Sequence, residues 1–278
     1  MVPSVELSLN DSNRDPVPEP AGVTVVLGGG GFKGMAHIGV FLALEEAGIH
    51  VERVIGTSAG ALIGAAYLHV GNAQALHDLV TGFVTSDEFQ SKGFVGFGAK
   101  PSGSGAIAFV SRLVSGFKRQ VALERMFRRS SAFGGAALRF VVRGLVPNID
   151  IDELPRPMAV ATLDLRSGEE VLLTEGPLCS AVCASSSVPG FFPPVERDGR
   201  LLVDAGIVNN LPTRSAQALG AQRMVAVDLS ASLAPTGAED VGMDILLRAQ
   251  DISIRLANRR WADAADVIIN PGLDGRNW

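Results

Sequence analysis

Short apolar runs alternate with longer stretches of helical periodicity along most of this chain. Val23-Thr24-Val25-Val26-Leu27 reads as a strand that ends in glycines, 35–47 as the helix that follows, 51–55 as a second strand and 61–68 as a second helix. Strand, helix and strand in that order make a βαβ unit, so a parallel sheet is expected. Strand patterns recur at Met158–Asp164, 170–174, 201–203, 224–229 and Val267–Ile269, and helical ones at 211–219 and 243–265. No internal repeat interrupts this order.

The first 21 residues break the pattern. They carry prolines and acidic residues where a signal peptide would need a basic start and an apolar core, and they are expected to form a disordered leader. The remainder, 22–278, is expected to be a single domain, because 278 residues at 47% apolar and 19% charged can build a substantial core. No run of 18 apolar residues occurs, so any membrane contact would be peripheral and the cytoplasm is the expected location. A net charge of −5 gives no reason to expect nucleic acid as a partner. That charge is unevenly spread: 91–145 holds ten basic side chains against Glu124 alone, so it carries +9 and the rest −14. Seven phenylalanines share that stretch, and 86–145 is expected to act as a lid or lipid-contact segment, able to meet an anionic membrane at its surface. Cys179 and Cys183, one helical turn apart, read as small buried apolar residues, with no disulfide framework and no metal implied.

Candidate chemistry begins at Gly56-Thr57-Ser58-Ala59-Gly60, a G-x-S-x-G sequence between the second strand and the second helix. A sharp strand-to-helix turn lifts a serine hydroxyl off the sheet, so Ser58 is a candidate nucleophile. The four histidines are His37, His50, His69 and His77; none follows residue 77, which rules out a Ser, Asp, His order. His37 reads as a side chain packed beneath the first glycine loop, and the base for Ser58 is expected to be a carboxylate.

That loop, Gly28-Gly29-Gly30-Gly31-Phe32-Lys33-Gly34, follows the first strand directly. Its N–H groups could hold a phosphate or the oxyanion of an acyl-transfer intermediate. Gly29 to Gly34 matches G-x-G-x-x-G, which keeps a dinucleotide-binding oxidoreductase as a distant alternative, but the second strand runs into Ser58 rather than an acidic residue. A P-loop would need Ser or Thr after Lys33 and finds Gly34. Adjacent strands would set Gly29, Gly30 and Gly31 beside Ser58. A third signal, Leu201-Leu202-Val203-Asp204-Ala205-Gly206, delivers an Asp at a strand end; Asp164 and Asp228 also end strands.

Together these motifs resemble the patatin-like phospholipase family, specifically its small bacterial members, over roughly Val23 to Pro271. In that family a G-G-G-x-[RK]-G loop forms the oxyanion hole, G-x-S-x-G carries the nucleophile and D-G-[GA] supplies the Asp of a Ser-Asp dyad. The matching residues are Gly29, Gly30, Gly31, Lys33 and Gly34; Gly56, Ser58 and Gly60; and Asp204 with Gly206. Ala184 to Pro194 is similar to the family's A-S-x-A-x-P-x-x-F-P-P stretch beside the active site. Ala205 stands where the family usually has Gly; a position needing φ > 0 would cost Ala about 1 kcal/mol. The resemblance implies a three-layer α/β/α fold with a mostly parallel central sheet. It also implies a serine acyl hydrolase acting on acyl esters of phospholipids or lysophospholipids without a cofactor. A non-catalytic lipid-binding protein on the same fold is the alternative.

Overall fold

Val23–Leu27 (β1), Val51–Thr57 (β2) and Met158–Asp164 (β3) pair in parallel; β1 and β3 are buried along their whole length and β2 from Val54 onward. Such runs have no polar face to give to water, which is why they lie inside a sheet. This computed structural model describes residues 22–91, 131, 133–230 and 242–272. The expected leader and the stretch 92–130, with most of the basic and phenylalanine-rich segment, lie outside the described residues.

The remaining strands are Glu170–Leu173 (β4), Val195–Arg197 (β5), Arg200–Asp204 (β6), Met224–Val227 (β7) and Val267–Ile269 (β8). The sheet runs in the order β5-β6-β3-β2-β1-β7-β8, with β4 paired to β3. β7 and β8 extend the parallel core on one side. Around β3 the additions are antiparallel: β4 and β6 each pair with β3, and β5 pairs with β6.

Ala36–Glu46 (α1) and Ala59–Val70 (α2) lie within residues of the expected bounds, and a 3₁₀ turn, Gly31–Met35, precedes α1. Ala73–Thr85 (α3) begins at Asn72, whose side chain caps it by accepting the Ala75 N–H at 2.8 Å. This helix, Asp87–Ser91 (α4) and Gly135–Leu145 (α5) were not expected from the sequence pattern. Leu178–Ser185 (α6), Thr213–Ala218 (α7) and Gly242–Trp261 (α8) complete the described helices.

Alternation along the strands divides the core between two layers of helix. Val25 and Leu27 pack with α1, α2, α3, α5 and α6, whereas Val26, Ile55 and Ala226 face Leu211 and Ala216 at α7. The result is a three-layer α/β/α fold on a mostly parallel sheet. No described helix is long and apolar enough to cross a membrane.

Candidate active site

Ser58 sits between β2 and α2 at φ 55°, ψ −120°, in a region few non-glycine residues adopt. The turn stays sharp because two glycines let backbones meet. A Cβ on Gly56 would lie 2.5 Å from the Ala61 nitrogen, and one on Gly60 would overlap the Leu27 carbonyl. The Ser58 N–H donates to Ser185 Oγ at 2.8 Å, and that hydroxyl donates to Ala161 O at 2.7 Å. Ser185 is buried and ends α6, so the elbow is tied to β3 by a residue 127 positions away.

The register of β3 brings Asp204 to Ser58. Thr57, the last residue of β2, pairs with Ala161, and Asp204, the last residue of β6, pairs with Thr162. β4 occupies the opposite edge of β3, so β2 and β6 share one edge and meet end to end. The sequence pattern puts Asp204 at a strand end, which in an all-parallel sheet would share a rim with Ser58. β6 is antiparallel instead, and its carboxyl end reaches Ser58 because it extends beyond the end of β2.

Asp204 is buried, and its Oδ1 accepts the Gly206 N–H at 2.7 Å. Burial pushes its pKa up to about 6, against the smaller opposing effects of the Gly206 N–H and the Ser58 hydroxyl, which interacts with the carboxylate. The other two strand-end aspartates point elsewhere. Asp164 accepts the Leu201 and Arg166 N–H groups and the Ser167 hydroxyl, which hold it below the usual carboxylate range despite burial. Asp228 accepts from Ser230 N–H and Asn258 Nδ2. Ala205 fits without strain, since the described non-glycine residues with positive φ are Ser58 and Asp198.

The glycine loop rests against the Ser58 elbow. A Cβ on Gly29 would stand 3.0 Å from Ser58 Cβ, and one on Gly34 would stand 2.6 Å from Ala59 Cβ. The Gly29 N–H donates to Asn210 O at 3.3 Å, and Asn210 Nδ2 donates back to Gly29 O at 3.0 Å. The N–H groups of Gly30 and Gly31 make no hydrogen bond among the described residues, and Gly31 takes φ 59° as the 3₁₀ turn begins. His37 lies beneath the loop, fully buried, donating from Nε2 to Gly28 O at 2.9 Å; burial depresses its pKa to about 4, so it is neutral. Its ring anchors the loop and does not reach the cavity.

Ser58, Asp204, Gly206 and Gly29 to Gly34 open onto one cavity of about 390 Å³. Phe83, Phe89, Leu138 and Val141 wall it from α3, α4 and α5, and Val188 and Phe191 from the stretch after α6. α8 closes a further side with Leu246, Gln250, Asp251, Ile254 and Arg255. Those α8 residues and the anchor Asn210 were not picked out in the sequence, and Ser185 was marked only as part of the Ala184 to Pro194 stretch. The spacing of 246, 250 and 254 marks one helix face, but nothing local says which cavity that face meets. Asp251 is raised to about 6 by burial, opposed by the positive charges of Arg255, Lys33 and Arg248. Among the described residues no three His, Cys, Asp or Glu side chains gather to hold a metal.

A serine on a strained strand-to-helix elbow, a buried carboxylate and a glycine loop on one cavity define a class of α/β protein. Residues 25–216 match the family model described as patatin-like phospholipase, and the chain belongs to that family. It is 29% identical to an uncharacterised NTE family protein of Mycobacterium bovis over 276 residues, which covers 90% of this chain and 41% of that protein. It is 31% identical to patatin-like phospholipase domain-containing protein 6 of Homo sapiens over 209 residues, covering 74% of this chain and 13% of that protein. The chain therefore spans less than half the length of these relatives. Among solved structures, VipD from Legionella pneumophila aligns with a TM-score of 0.44 at 17% identity, over 83% of this chain and 53% of that one.

Proposed function

We propose that this protein is a serine acyl hydrolase that cleaves acyl esters of phospholipids or lysophospholipids, with Ser58 as nucleophile and Asp204 as base. The observation that carries the reading is the end-to-end meeting of β2 and β6 on β3, which puts the Ser58 hydroxyl against a buried carboxylate. Asp204 takes the hydroxyl proton as Oγ attacks the ester carbonyl carbon. A carboxylate raised to about 6 is a stronger base than an ordinary one and is still ionised at neutral pH. The negative charge that develops on the carbonyl oxygen is held by the Gly30 and Gly31 N–H groups, which are free to donate; the Gly29 N–H is already given to Asn210. As the intermediate collapses, the carbon–oxygen bond to the alcohol breaks and the Asp204 carboxyl returns its proton to the leaving oxygen. Water then attacks the acyl-serine, Asp204 takes its proton, and the fatty acid leaves as Ser58 recovers its own.

Phe83, Phe89, Leu138 and Val141 supply an apolar wall suited to an acyl chain, so chain length is read by this surface. The test is hydrolysis of a chromogenic short-chain ester by wild type, Ser58→Ala and Asp204→Asn, with folding verified in each. Loss of turnover to near background in both folded variants supports the dyad. An inactive wild type would turn the reading to a lipid-binding protein without catalysis, and full activity in Asp204→Asn would require another base.

A further inference from the structure

α8 presents two different faces. Its inner face, with Gln250, Asp251 and Ile254, lines the cavity, and Asn258 is buried beside Asp228. Its outer face carries Ile245, Ile252 and Leu256, which are 60%, 38% and 52% exposed. At 3.6 residues per turn these three fall within about 40° of one another, a single stripe along the helix. Arginines border the stripe: Arg248 and Arg259 on one side and Arg260 on the other, the last two exposed, while Arg255 turns to the cavity it lines. Leu246, 62% exposed, sits at the turn between stripe and cavity and also lines the cavity.

We infer that the outer face of α8 docks on an anionic lipid bilayer, with the cavity mouth at Leu246 set at the membrane surface. An apolar stripe edged by basic residues is the pattern of a helix that lies in the interface, its apolar side among acyl chains and its guanidinium groups at the phosphates. The charge selects the partner. A second copy of this acidic chain would meet the stripe with net negative charge but without the dense, uniform phosphate layer that the exposed Arg259 and Arg260 can engage. Bringing the mouth to the bilayer also shortens the path of a lipid ester from membrane to Ser58, and only this last consequence rests on the hydrolase reading.

The experiment is flotation of the full chain with vesicles of phosphatidylcholine alone or with phosphatidylglycerol, at low and high salt. Wild type is expected to float with the anionic vesicles and to be released by salt. Arg259→Gln and Arg260→Gln should each weaken that binding roughly fivefold, and Ile252→Ser with Leu256→Ser should abolish it. All variants should keep wild-type unfolding curves and wild-type hydrolysis of a soluble ester. A Leu256→Trp variant adds a direct readout, since its extra emission should shift to the blue on anionic vesicles. Binding indifferent to lipid charge, absence of flotation, or outer-face variants that bind like wild type would overturn the proposal. It would also fall if the Ser variants converted a dimer to a monomer and left vesicle binding intact. Flotation reads no hydrolysis, so this proposal and the catalytic one fail separately.

Discussion

Replacing Asp204 with Asn should stabilise the fold while it stops turnover. Burial raises the Asp204 pKa from 3.8 to about 6, so the folded state prefers the carboxyl protonated more than the unfolded chain does. A group raised in this way contributes its stability below its unfolded pKa and loses it as pH climbs through the folded value. Two units correspond to about 3 kcal/mol. The ionised Asp204 therefore costs the wild type about 3 kcal/mol at pH 8, about half that at pH 5 and little at pH 4. Asn has the same shape, carries no charge at any of these pH values, and keeps an Oδ1 to accept the Gly206 N–H. His37 titrates with the opposite sign, its stability present at neutral pH and lost as pH falls towards about 4. It is unchanged in the variant, so it cancels from the difference. At about 2–4 °C per kcal/mol for a chain of this size, thermal unfolding should show Asp204→Asn higher by about 6–12 °C at pH 8, with the gap closing towards pH 4. A gap that does not depend on pH, or a variant less stable than wild type at pH 8, would refute the claim that a buried charge sits at this position.

The same titration should appear in catalysis: kcat/KM for a short-chain ester should rise about tenfold per pH unit below about 6 and then level off; a flat profile from pH 4.5 to 7 would count against Asp204 as base. Asn210→Ala removes the side-chain bond to Gly29 O and loosens the loop that presents Gly30 and Gly31, so kcat should fall about tenfold or more with KM nearly constant; an equal change in KM would indicate a lost substrate contact instead. Two glycine substitutions should have opposite signs in thermal unfolding: Gly60→Ala drives a methyl into the Leu27 backbone and should cost about 3 kcal/mol or more, whereas Gly39→Ala on α1 meets open space and should add about 0.5–1 kcal/mol.

Read locally, the chain already announces its central unit. β1, α1, β2 and α2 lie where apolar runs and helical spacing put them, because a strand buried on both faces and a helix buried on one leave periodic traces in a dozen residues. The elbow glycines and the glycine loop are legible for the same reason: the chemistry of a tight turn is written in the residues that make it. The residues that hold Ser58 and the loop are not. Ser185 meets Ser58 across 127 positions and Asn210 meets Gly29 across 181, and no local pattern encodes such pairs. Leu246, Gln250 and Ile254 mark a helix face but not the cavity it closes. Three aspartates ended strands, and only Asp204 faces Ser58, a choice made by the antiparallel arrival of β6 on the same edge of β3 as β2, just past the end of β2. The sequence by itself determined the central βαβ elements, the family and the residue types of the site. The tertiary structure decided which carboxylate meets the serine, which glycine N–H groups remain free, and which helix closes the cavity, because those outcomes depend on packing between segments far apart in the chain.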